Sequence, residues 1–165
     1  MFNGFLRHCA DMIGRLFHRK QTGRRSPHSA VVGTWGENQA ARFLERAGYT
    51  LLGRNLRPNK HDELDIIARK GEWLVIVEVK TRKTDYYVRP IRSIDARKRK
   101  ALNRGAVAYL RKAHYPTLYY RFDVIEVVGQ PEWQNPPKIR HIEDAFPFDG
   151  RHYFPTDPPA KHRRS

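Results

Sequence analysis

One cysteine, Cys9, is the only thiol in this 165-residue chain. A lone thiol excludes a disulfide framework and a cysteine-built zinc site. No apolar run approaches the length of a membrane span, and the N-terminal "MFNGFLRHCADMIGRLF" lacks the unbroken apolar region of a secretory signal, so the expected compartment is the cytoplasm, with no integral membrane association. Acids are scarce: 17 Asp and Glu stand against 32 Lys and Arg. The hydrophobic fraction of 39% is low for the length, which implies that part of the chain lies outside a packed core. The eight histidines are scattered without ligand-like spacing, and no internal repeat is present.

What is abundant is positive charge. A net charge of +15 implies a polyanionic partner, nucleic acid or acidic lipid, because such a field concentrates phosphates around the protein. The alternative is a basic protein with no such partner. The two ends contribute strongly, and a second concentration runs from Lys80 to Lys112, where only Asp85 and Asp95 oppose the basic residues. Residues 1–30 divide into an amphipathic stretch (1–17), suited to a membrane surface or to packing on the domain, and a basic linker (18–30). Residues 147–165 form a Pro-, His- and Arg-rich tail.

Between these ends, residues 31–146 carry the pattern of one α/β domain. "TWGE" has the spacing of a capping box on Thr34 and Glu37, predicting a helix from Thr34 to about Ala47 that buries Ala40, Ala41, Phe43, Leu44 and Ala47 and stops at Gly48. "YTLLGRN" reads as a strand. β-branched runs at Ile66 to Ala68 and Leu74 to Val79 flank "RKGE" and predict a hairpin. A loop containing Tyr86 and Tyr87 leads to a helix over 95–113, with Leu102, Ala106, Tyr109, Leu110 and Ala113 inward. "LYYRFDVIEVVG" and "KIRHIEDAF" supply two more strands. The helix after the hairpin is long enough for a crossover, so the sheet is expected to be mixed and to lie between helices.

The hairpin carries the chemistry. With Lys70 and Gly71 as turn residues, Arg69 pairs with Glu72, Asp65 faces Ile76 and Glu63 faces Glu78, so Glu63, Asp65, Glu78 and Lys80 share one side of the sheet. Carboxylates gathered in this way suit a hard divalent cation, with an amine at hand. The structural alternative is a set of ion pairs, Glu78 to Lys80 and Asp65 to Arg82, without catalysis. Arg82, Lys83, Arg97, Lys98, Lys100 and Arg104 are candidates for phosphate contacts, and Tyr86 and Tyr87 for stacking on unpaired bases, against the plainer reading of a solvated charged face and a packed loop. Trp35 and Trp73 read as core, and Asp123 as a structural partner of Arg121 or of a helix cation.

"GENQAARFLERAGYTLLGRNLR", "DELDIIA", "LVIVEVKTRK", "IDARKRKALNRGAVAYL" and "RFDVIEV" resemble successive blocks of the YraN-like family of uncharacterised bacterial proteins, over roughly Gly33 to Phe146. That family is similar to the PD-(D/E)XK nuclease superfamily. The resemblance implies a restriction-endonuclease-like three-layer core, a mixed β-sheet flanked by helices. It also implies Mg²⁺- or Mn²⁺-dependent endonuclease chemistry at Glu37, Asp65, Glu78 and Lys80. Asp65, Glu78 and Glu37 would be metal ligands, with Glu63 a further one, and Lys80 would orient or deprotonate the attacking water. This chain departs from the pattern in having Asp62 before Glu63 where the family has glycine, and Leu64 where the superfamily usually has proline. DNA stands ahead of RNA as the implied partner, and a homodimer would let two sites reach both strands. The rival from another class is a non-catalytic nucleic-acid-binding module whose acidic site is vestigial.

Overall fold

The computed structural model describes residues 27–84, 94–113 and 119–149. The expectations for residues 1–26, for Tyr86 and Tyr87, and for the tail from residue 150 onward lie outside the described residues. The elements in chain order are α1 (Pro27–Arg46), β1 (Thr50–Leu56), β2 (Leu64–Lys70), β3 (Trp73–Arg82), α2 (Ala96–Ala113), β4 (Tyr119–Val128) and β5 (Lys138–Phe146).

α1 starts earlier than the capping-box spacing predicts. Pro27 occupies its first position, where the fixed φ of proline is already helical and its missing N–H would have had no partner. Thr34 is therefore an exposed mid-helix residue and Glu37 a buried one, so the Thr34/Glu37 pair does not cap the helix, and residues 27–30 are helix rather than linker. The other end behaves as read. Gly48 adopts φ 81°, its N–H donates to the Glu45 carbonyl (3.0 Å), and the Tyr49 N–H donates to that of Leu44 (2.9 Å), closing the last turn with a left-handed residue that glycine adopts without a Cβ clash. Ala40, Ala41 and Leu44 are buried and Phe43 packs beside them, while Ala47 lies exposed past the helix end.

The five strands form one sheet in the order β1-β2-β3-β4-β5. β3 and β4 run parallel, joined through α2, and the remaining neighbours are antiparallel. Each face of the sheet is apolar. On one, Ile66, Ala68, Val75, Val77, Ile125 and Val127 pack under Ala40, Ala41 and Leu44 of α1. On the other, Leu64, Ile67, Leu74, Ile76, Phe122 and Val124 pack under Leu102, Ala106, Tyr109 and Leu110 of α2. The result is three layers, helix on mixed sheet on helix, because strands buried on both faces need a helix against each.

The hairpin register differs from the expected one by two residues. Lys70 pairs with Trp73 and Arg69 with Leu74, so the turn is Gly71–Glu72, with Gly71 at φ 58° in the first turn position. A one-residue slip would have sent the acids to opposite faces, but a two-residue slip preserves the alternation. The effect is to slide β2 along β3, bringing Asp65 beside Glu78 rather than Ile76.

Two local features then fix the helices. A Cβ on Gly36 would lie 1.8 Å from Thr81 Oγ1, so only glycine allows α1 to approach β3 this closely. Asp95 precedes α2, and its Oδ1 accepts the Lys98 N–H at 2.7 Å. That carboxylate sits at the positive end of the helix dipole, where it offsets the cost of Arg97, Lys98 and Lys100 in the first turns.

Candidate metal and nucleic-acid site

The β2–β3 ladder ends at the pair Ile66 and Val77, and the next residue outward on β2 is Asp65. Its Oδ2 accepts the Val79 N–H at 2.8 Å, so the carboxylate takes up a ladder donor that a paired strand would have used. Although part of its surface reaches a cavity, protein packs round Asp65 elsewhere. That burial, and then the Glu78 charge beside it, push the carboxyl up to about 7 from an ordinary 3.8.

Glu78 stands on β3, 3% exposed, between two ammonium groups. Lys80 Nζ lies 2.7 Å from Oε1 and Lys98 Nζ, from α2, 2.9 Å from Oε2. Burial opposes the Lys98 charge, and the Glu78 and Asp65 carboxylates override that effect and hold the ammonium above its usual pKa. Glu37, buried on α1, completes the acidic wall.

These groups meet in a cavity of about 690 Å³ at the end of β3. Glu37, Asp65 and Glu78 line it together with Lys80, Lys98, Arg82 and Lys83, and His28 and Ser29 of the first turn of α1 stand at the same wall. α1, β2, β3 and α2 thus each contribute a charged side chain. The acids come from three elements separated in sequence, and the Gly36–Thr81 contact is what lets α1 bring Glu37 in.

Other sequence candidates fall elsewhere. Glu63 is absent from the cavity wall and pairs with Arg57 at 3.1 Å. Arg82 does not pair with Asp65; its guanidinium lies 3.6 Å from Glu126. Arg97 and Lys100 are exposed on α2. Arg104 clasps Asp62 through Nη2 (2.7 Å) and Nε (3.2 Å), while its side chain stays 60% exposed. Trp35 and Trp73 pack against the α1-side core. Asp123 is fully buried, with Arg121 at 3.1 Å and His141 Nε2 at 2.8 Å, in a network on the α1 face of the sheet.

Two participants escaped the sequence reading. Asp62 is 4% exposed and is held by Asn59 as well as Arg104 in a polar nest of its own. Its signal was an acid directly before Glu63 at the entry to β2. Glu126 (2% exposed) binds Arg140 at 2.9 Å, and its signal was a solitary acid inside the apolar run of β4.

An all-oxygen donor set of carboxylates, with one acid held protonatable near neutrality by burial and then by the neighbouring Glu78 charge, suits a hard divalent cation. As placed, the lysines supply the countercharge. Among the described residues no three His, Cys, Asp or Glu side chains stand together as a ready ion cage. Among them, too, no helix is long and apolar enough to cross a membrane.

Residues 36–127, which include Glu37, Asp65, Glu78, Lys80 and Glu126, match the uncharacterised protein family UPF0102. A UPF0102 protein of Rhodococcus opacus is 38% identical over 119 residues, covering 72% of this chain and 98% of the relative. One from Geobacter sulfurreducens is 38% identical over 125 residues, with 75% and 94% covered. Another, from Bacteroides thetaiotaomicron, is 42% identical over 115 residues, with 70% and 91% covered. The match runs from the middle of α1 to the end region of β4 and includes every residue of the acidic wall, and the chain therefore belongs to the UPF0102 family, the YraN-like proteins.

Proposed function

We propose that this protein is a cytoplasmic, Mg²⁺- or Mn²⁺-dependent nuclease of the PD-(D/E)XK type that hydrolyses phosphodiester bonds, with DNA as its substrate. The observation that carries this reading is the meeting of Asp65, Glu78, Glu37 and Lys80 in one cavity whose rim is cationic. Asp65 and Glu78 would hold the metal, and Glu37 would complete its shell. Such an ion, when bound, neutralises charge on the phosphate and acidifies a water.

The remaining work falls to the chain itself. Lys80 Nζ, anchored 2.7 Å from Glu78, donates to the attacking water or to a phosphate oxygen and opposes the charge that develops there. Lys98 and Lys83 add fixed positive charge at the cavity, which draws the backbone in and binds phosphate without regard to base sequence. The exposed Arg97 and Lys100 extend the same field along α2.

The test is incubation of purified protein with single-stranded, duplex and branched DNA in Mg²⁺ or Mn²⁺. Cleavage is expected in the parent and is lost in Asp65→Asn and Lys80→Ala, while DNA binding persists. Cleavage surviving in both variants would assign the activity to a contaminant, and none in the parent would remove the catalytic claim.

A non-catalytic nucleic-acid-binding module is the second reading, favoured by the two ammonium groups that already neutralise Glu78. The two readings differ in metal response. A working site gains thermal stability that rises with the logarithm of Mn²⁺ concentration above its Kd, whereas a vestigial one does not.

A further inference from the structure

Both oxygens of Glu78 are met by ammonium groups, and the two arrive by different routes. Lys80 Nζ, 2.7 Å from Oε1, stands two residues along the same strand, so the pleat itself keeps it on the Glu78 side of the sheet. Lys98 Nζ, 2.9 Å from Oε2, comes from the first turn of α2, across the cavity wall. No strand register requires it there, and a cation in a first turn opposes the helix dipole. Its attraction to the acids is what makes the placement favourable. Asp65 takes part in that attraction: burial and then the Glu78 charge raise its carboxyl, and the Lys98 ammonium is the largest influence that lowers it. Lys98 thus supplies to Asp65 and Glu78 the positive charge that a divalent ion held by them would supply.

We infer that Lys98 is an internal competitor of the metal: it holds Glu78 Oε2 and yields that place when a divalent ion binds. This rests on the proposed function, since it takes Asp65 and Glu78 as metal ligands. Two cations drawn to one carboxylate oxygen repel each other, so binding of the ion and the Lys98 contact exclude one another. The chemistry of lysine suits the exchange. Its ammonium is a compact point charge on a flexible four-carbon stem and can turn aside without moving α2, whereas a guanidinium would hold a rigid fork against the carboxylate. Lys80, tethered on β3, keeps its contact with Oε1 and so holds Glu78 in place during the exchange. The released ammonium stays at the cavity wall, where it remains part of the charge that draws a phosphate in. Lys98 is a positioning residue in this arrangement: it keeps two repelling acids together and sets how tightly the site takes its ion.

The deciding experiment is a Mg²⁺ titration of the full chain, freed of metal by chelator and without nucleic acid, read by calorimetry and by the ¹⁵N NMR signals of the lysine ammonium groups. The Lys98 signal is the one lost in Lys98→Met. In the parent, Mg²⁺ should move that signal to the position of a solvated lysine, with the same midpoint as the calorimetric binding, while the Lys80 signal keeps its paired position. Lys98→Met should bind Mg²⁺ about tenfold more tightly, the order expected when a hydrogen bond between charged groups no longer has to be broken. Lys83→Met removes an equal charge from the same cavity wall, and in about 0.15 M salt, which screens the general field, it should gain less than about threefold. A Lys98 signal unmoved while the ion binds, or equal gains in the two variants, overturns the exchange and leaves the metal site standing. Binding in Lys98→Met alone would make the lysine a permanent plug and also overturns it. Binding in neither protein removes the metal site, and the nuclease reading with it. If Lys98→Met does not fold by circular dichroism, Lys98→Arg identifies the signal and the parent titration carries the decision.

Discussion

Replacing Asp65 by asparagine should make the metal-free protein more stable at pH 8. The folded state holds the Asp65 carboxyl near 7, against 3.8 as its ordinary value, first through burial and then through Glu78. Between those two values the folded chain binds a proton that the unfolded chain releases. Stability from this group therefore falls as pH rises through that window, and the full cost is present above it. Three units correspond to at most about 4 kcal/mol. Asparagine carries no charge to desolvate, and its Oδ1 can still accept the Val79 N–H that Asp65 accepts at 2.8 Å. In a chain of this size a gain of about 4 kcal/mol raises the melting temperature by roughly 8–16 °C. The assay is thermal unfolding followed by circular dichroism, in chelator, at pH 5 and pH 8. The variant should exceed the parent clearly at pH 8, and the gap should shrink by more than half at pH 5, where the parent retains most of the proton. Added Mn²⁺ should then raise the parent and leave Asp65→Asn unmoved. A variant less stable than the parent at pH 8, or a gap indifferent to pH, would refute the account of a carboxylate held at a cost to the fold.

Two further substitutions test the frame around the site. Gly36→Ala puts a methyl into the space of Thr81 Oγ1 and should cost about 2–3 kcal/mol by overpacking; chemical denaturation measures this, and trimming the neighbour with Thr81→Ala should recover part of the loss. Arg104→Ala removes the partner of a carboxylate that is 4% exposed, leaving Asn59 as its remaining side-chain donor, and should cost about 2 kcal/mol. A loss below a few tenths would place Arg104 outside the fold's support and return it to the candidate phosphate contacts.

Much of the architecture was legible because it is written in local pattern. The β-branched runs, Gly48 and the apolar face of α2 each specify one element by short-range sterics or periodicity, and each is found where the pattern puts it. The errors share a cause too. "TWGE" satisfies the spacing of a cap, but Pro27 offers an earlier start and the packing of Gly36 on Thr81 requires helix on both sides of that glycine. "RKGE" admits two turn placements that keep the same side chains on each face, and the pattern of apolar residues alone does not choose between them; the structure has Gly71 in the first turn position at φ 58°. For the site, the acids and Lys80 could be named from their spacing and from family resemblance. The destinations of their partners could not: whether Arg82 turns to Asp65 or to Glu126, and whether Glu63 faces the cavity or Arg57, depends on a strand and a loop distant in sequence.

The mixed sheet also has a consequence for the order of assembly. β2 meets β3 across a tight turn, whereas Val75 can meet Arg121 only after the whole crossover has closed. Short closures carry the smaller entropic cost and are faster, so the hairpin is the natural first event and the parallel pairing a later one. During that interval Asp65 and Glu78 would already be neighbours while Lys98 was still on an undocked segment. A nascent chain would thus spend its early life with the acid pair exposed and short of one ammonium, and docking of α2 would both complete the core and quench that repulsion.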